Sequence, residues 1–131
     1  MALETLVLLA GGQVTPNMYA IHEFSPRKVL VLFTSHVDSV RACKTIEKLS
    51  DEMKIVVEIR EVADAYSPES TRNCILSYLK QYPSGERSGI EIFATSGTKP
   101  MSIGAYLAGL DLELPVSYFE TEFRYLYSPR G

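Results

Sequence analysis

Cysteine and histidine are scarce in this chain, with two of each in 131 residues. Neither Cys43, Cys74 nor the histidines fall at zinc-site spacing. Both cysteines sit inside helical patterns, so they are expected to be reduced structural thiols, and no metal site is expected. No apolar run nears the roughly 20 residues that a membrane span needs. The N-terminus has neither the basic start nor the small-residue cleavage site of a secretory signal. The expectation is a cytoplasmic protein with no membrane partner. Positive charge is also short: 13 Lys and Arg against 16 Asp and Glu leave a net charge of −3. That argues against a nucleic-acid duplex as partner, because a duplex needs a broad basic face. A small nucleotide held by backbone amides and a few cations stays open. The phosphate-loop pattern G-x-x-x-x-G-K-[ST] and the dinucleotide pattern G-x-G-x-x-G are both missing, which weighs against a simple NTPase or dehydrogenase. There is no internal repeat and no low-complexity tract.

What is present is a single domain over residues 1–131, with 46% hydrophobic and 22% charged residues. Continuous apolar runs at Leu6–Ala10, Val29–Phe33 and Ile90–Phe93, with Ile55–Val62 and Pro115–Phe119, read as strands buried on both faces. Helical patterns separate them. Thr15-Pro16 reads as an N-cap followed by a first-turn proline. That helix turns Met18, Ile21 and Phe24 inward. Ser35 with Asp38 reads as a capping box for a helix to about Glu52, with Val37, Val40, Ile46, Leu49 and Met53 as its apolar stripe. Ser67-Pro68 opens a third helix with Ile75, Leu76, Leu79 and Tyr82 on its buried side. Thr98 caps a fourth, whose Gly104, Ala105 and Ala108 permit close approach to the sheet and whose Gly109 reads as its C-terminal glycine. Residues 83–89 read as a solvated loop, Phe123–Tyr127 as a last strand hairpinned to the fifth, and 128–131 as a frayed end. The alternation predicts an α/β fold: a Rossmann-like three-layer sandwich with a mostly parallel sheet and a C-terminal hairpin.

In such a sheet, ligands bind at the carboxyl edge. Three strand exits meet there: Gly11-Gly12-Gln13, Thr34-Ser35-His36 and Thr95-Ser96-Gly97-Thr98-Lys99-Pro100-Met101. Glycine lets a backbone approach a ligand, hydroxyls and amides donate to phosphate oxygens, and a helix N-terminus adds partial positive charge. The three loops predict a phosphate or nucleotide site, with the loop bearing Lys99 as its anion cradle. His36 reads equally as a ligand contact or as a helix-start residue with a local hydrogen bond. His22 reads as an ordinary helix residue. Tyr118, Tyr125 and Tyr127 read as core or interface residues rather than base-stacking ones.

The segment Phe93 to Met101 resembles the T-G-G-T-K-P-M loop of CARF domains, the CRISPR-associated Rossmann folds. Leu8 to Asn17 resembles the start of one CARF branch, and Val116 to Glu122 its end. Ser96 departs from that branch, which commonly has glycine there. The resemblance implies a homodimer that binds a cyclic oligoadenylate, most simply cyclic tetra-adenylate, across its two-fold axis, without metal or cofactor. It implies Lys99 as the main phosphate contact and Ser96, Gly97 and Thr98 as further donors. Gly12 and Gln13 would face ribose or base, and Thr34, Ser35 and His36 would form a third wall. Where CARF domains also cut the ring, Lys99, Ser96 and Thr98 are the implied catalytic residues. The alternatives are a free-standing CARF protein or the CARF part of a larger effector. A ligand-free interaction module using the Tyr118–Tyr127 edge and an unrelated nucleotide-phosphate enzyme remain the competing readings.

Overall fold

The computed structural model describes residues 3–129. Six strands and four helices alternate: β1 (Thr5–Leu9), α1 (Thr15–Phe24), β2 (Lys28–Phe33), α2 (Val37–Glu52), β3 (Val56–Glu61), α3 (Pro68–Leu79), β4 (Ile90–Phe93), α4 (Lys99–Leu112), β5 (Val116–Phe119) and β6 (Phe123–Tyr127). One sheet has the order β3-β2-β1-β4-β5-β6. The first five strands are parallel, and β6 returns antiparallel to β5. This is the expected Rossmann-like α/β fold with its C-terminal hairpin. Every residue of β1 is buried, as a strand at the centre of a doubly covered sheet requires.

Strand side chains alternate between two cores. Val7 and Leu9 of β1 pack with Leu30, Leu32, Ile75 and Leu79 beneath α3 and α4. Leu6 and Leu8 pack with Val29, Val31, Ile21 and Ile46 beneath α1 and α2. The path winds one way from β1 to β3 and the other way from β4 to β5. The point of reversal therefore lies between the carboxyl ends of β1 and β4.

Several local details differ from the sequence reading. α1 begins one residue early, with Val14 rather than Thr15 at its N-cap and no side-chain cap. α2 is capped by His36, not Ser35: its Nδ1 accepts from the Asp38 amide at 3.2 Å. The buried face of α2 carries Ser39, Ala42, Cys43, Ile46 and Ser50, while Val37 is 62% exposed, because small residues let this helix lie close to the sheet. Gly109 does not end α4; the helix runs three residues further to a left-handed Glu113. A Cβ on Gly109 would lie 2.2 Å from Val116 Cγ2, so it is Gly109 that seats α4 on the sheet. Gly104 serves α3 instead, since its Cβ would lie 2.1 Å from Pro68 O. Within the 83–89 loop, Ser84–Glu86 forms one 3₁₀ turn. Of the tail expected to fray, Arg130 and Gly131 lie outside the described residues.

Candidate ligand-binding site

At the reversal point the loops after β1 and β4 touch. A Cβ on Gly11 would fall 1.2 Å from Ser96 O, so only glycine fits there. Ser96 itself has φ 80°, a left-handed conformation that L residues adopt at a cost of about 1–3 kcal/mol. Its Oγ is buried without a hydrogen-bond partner. Neighbouring hydroxyls, by contrast, are committed to building the site. Ser39 Oγ donates to Ala10 O at 2.7 Å and accepts from the Thr34 amide at 2.8 Å, joining the exits of β1 and β2. Thr98 Oγ1 donates to Ala65 O and accepts from the Met101 amide at 3.2 Å. It thus caps α4 and ties the β4 loop to the β3 loop. Thr95 Oγ1 accepts from the Phe119 amide at 2.9 Å, fixing the β4 exit to β5.

These connections frame a cavity of about 470 Å³ lined by Ala10, Gly11, Gly12, Thr34, Ser35, His36, Asp38, Ser39, Ala63, Asp64, Ala65, Tyr66, Ser96, Gly97, Thr98 and Met101. The volume lies in the range of about 300–1,000 Å³ usual for small-molecule sites. All three exits singled out in the sequence contribute: Gly11, Gly12, Thr34, Ser35, His36, Ser96, Gly97, Thr98 and Met101 meet around one space. Gln13, Thr95, Lys99 and Pro100 are not among the lining residues. Lys99 is exposed at the first position of α4. The lining holds two carboxylates, Asp38 and Asp64, and, among the described residues, no lysine or arginine. An anion here would rest on backbone amides, hydroxyls and the first turns of α2 and α4 rather than on cationic side chains. Because Nδ1 of His36 accepts from an amide, the neutral ring carries its proton on Nε2.

The fourth wall, Ala63 to Tyr66, was not anticipated. Its signal was available: β3 is parallel to β2, so its exit must reach the same edge, and Asp64 precedes the Ser67-Pro68 helix start. The tyrosines near the chain end are not in the cavity. Tyr125 Oη donates to Glu91 at 3.1 Å, and Tyr127 packs on the core. Among the described residues, no three His, Cys, Asp or Glu side chains group as a metal would need, and no helix is long and apolar enough to cross a membrane.

A doubly wound sheet with a cavity at its reversal point defines a Rossmann-like domain, with the cavity at the edge where such sheets take ligands. The family model described as the Card1 CARF domain matches residues 5–119, and the chain belongs to that family. Solved structures share the fold. Can2 from Sulfobacillus thermosulfidooxidans, in complex with cyclic tetra-adenylate, aligns at TM-score 0.79 and 20% identity over 93% of this chain and 34% of its own. A type III CRISPR defence DNA nuclease activated by cyclic oligoadenylate aligns at TM-score 0.78 and 19% identity, over 96% of this chain and 20% of its own. Protein VC1899 from Vibrio cholerae aligns at 0.73 and 15%, over 97% and 34%. The chain thus spans about a third or less of the length of each. None of the curated proteins compared matches it.

Proposed function

We propose that this domain binds cyclic oligoadenylate, cyclic tetra-adenylate in particular, as a messenger of type III CRISPR defence in the cytoplasm. The observation that carries the reading is the cavity at the reversal point in a chain of the CARF family. The cyclic tetra-adenylate bound to Can2 and the activator of the defence nuclease are ligands of those proteins, and they set the class of ligand proposed here.

The ligand would lie across the two-fold axis of a homodimer, so that two copies of each loop surround it. Ile103 and Leu110 are seven residues apart on α4 and 51% and 38% exposed. They give that helix an unpartnered apolar stripe for its copy. Lys99, one turn away on the same helix, would meet phosphates outside the single-protomer cavity, where the ring straddles both protomers. Amides of Gly11, Gly12 and Gly97 would hold the remaining phosphate oxygens.

The same geometry suits metal-independent cleavage of the ring. A ribose 2′-hydroxyl would attack the adjacent phosphorus in line, the 5′-oxygen would leave with a proton, and a 2′,3′-cyclic phosphate would remain on a linear product. Lys99 would offset charge on the phosphorane. Ser96, once its Oγ turns out of its buried position into the cavity, would orient the attacking hydroxyl, and Thr98 would hold the loop in place.

Incubation with cyclic tetra- and hexa-adenylate without metal, read by mass spectrometry beside a thermal-shift titration, tests both parts. Cyclic tetra-adenylate is expected to raise Tm, and Lys99→Ala to abolish most of that rise. No shift at saturating ligand defeats the binding reading. Binding with an intact ring defeats cleavage alone.

A further inference from the structure

Tyr66 lines the cavity and is 77% exposed, the most exposed of the large apolar side chains among the described residues. The loop that presents it is firmly built. The Tyr66 amide donates to Asp64 Oδ1 at 2.9 Å, the Asp64 amide donates to Ser70 Oγ at 3.0 Å, and the Ser67 amide donates to Asp64 O at 3.3 Å. The Thr98 hydroxyl, donating to Ala65 O, fastens the same loop to α4. These four bonds fix the backbone beneath an exposed aromatic ring at the edge of the cavity, where a flat partner could stack on it.

The carboxylates beside it sharpen the point. Asp38 is offset by Arg41 at 3.9 Å. Asp64 has no cation within 4.0 Å among the described residues. A bare carboxylate repels phosphate, so this wall suits a neutral part of the ligand that donates hydrogen bonds. Oδ1 accepts from the Tyr66 amide, and the lone pairs of Oδ2 stay open to a donor from a ligand. Adenine offers one such group, its exocyclic amine. Hypoxanthine would instead place a carbonyl oxygen at that position, which the carboxylate repels.

We propose that Tyr66 and Asp64 form the base subsite of this cavity: Tyr66 stacks on one adenine and Asp64 Oδ2 accepts from its exocyclic amine. The inference rests on the ring-binding reading and deepens it by assigning the groups that seat a base and tell adenine from hypoxanthine.

The chain contains no tryptophan, so Tyr66→Trp installs a sole indole. Its emission is expected to be quenched by cyclic tetra-adenylate, with a midpoint matching calorimetry on the wild type to within about threefold. Tyr66→Ala is expected to weaken binding roughly 5- to 150-fold, the usual loss for one stacked base, while Tyr66→Phe stays within about threefold. Asp64→Asn keeps the oxygen that receives the Tyr66 amide and replaces the other with NH₂. It is expected to erase the wild-type preference for cyclic tetra-adenylate over cyclic tetra-inosinate. If the wild type binds but Tyr66→Ala binds equally well, or the indole stays unquenched at saturation, the base subsite is wrong and the ring-binding reading survives. A wild type that binds no cyclic oligoadenylate overturns both.

Discussion

Ser96 combines a left-handed backbone, a buried hydroxyl without a partner and a place in the cavity wall. Ser96→Gly removes strain worth about 1 kcal/mol or more, so Tm is expected to rise by roughly 3–5 °C in a thermal melt. Weaker ring binding in the same variant would mark a residue kept for its contact rather than for the fold. A lower Tm would show that the serine stabilises the loop. Two carboxylates behave oppositely. Burial raises the pKa of Glu91 above 4.5, against the hydrogen bond from Tyr125. The folded state then binds its proton more tightly than the unfolded chain, so Glu91 favours folding only as pH falls toward 4.5. Glu91→Gln is expected to raise Tm at pH 7, with the gain fading by about pH 4. Burial also works on Glu58, but hydrogen bonds from Lys28 and Tyr78 prevail and lower its pKa. Its contribution is present above 4.5 and lost as pH drops below that, so Glu58→Gln is expected to lower Tm at pH 7 and to matter less in acid.

The helices show what apolar spacing conveys and what it hides. Ile90–Phe93 and Phe123–Tyr127 were legible to the residue, because a short apolar or aromatic run between turn formers permits little else. The three loops that meet at the cavity were legible as well, since parallel strands must send their exits to one edge. The contacting face of α2 was legible at Ile46 and Leu49 but not beyond them, because the rest is built from Ser39, Ala42 and Ser50, which no hydrophobic stripe announces. The partner of Gly104 was equally hidden. A glycine in a helix reports close approach without saying to what, and here the neighbour is Pro68 of α3. Gly104→Ala is expected to cost about 1–3 kcal/mol by forcing α4 from α3, measured by chemical denaturation. A neutral result would mean that the helices slide apart without loss. The β3 exit reaches the same rim by the same parallel rule, but its aromatic, Tyr66, belongs to no motif that marks it as a wall of the site.

At the scale of the whole molecule, the surface of α4 faces outward with Ile103 and Leu110 exposed, and the charge-poor cavity opens beside its first turn. On the proposed homodimer, in which two protomers complete the site, Leu110→Glu is expected to give a monomer in light scattering and to weaken ring binding at least tenfold. Unchanged mass with unchanged affinity would remove α4 as the proposed dimer contact. One feature of the rim bears on which guests it admits. The Thr98 hydroxyl, the Gly11–Ser96 contact and the Ser39 hydroxyl fasten four loops in succession, β3 to β4, β4 to β1 and β1 to β2. Four loops joined at three points move as one, so under the proposed function each protomer would offer the ligand a rim of fixed shape rather than four separate arms.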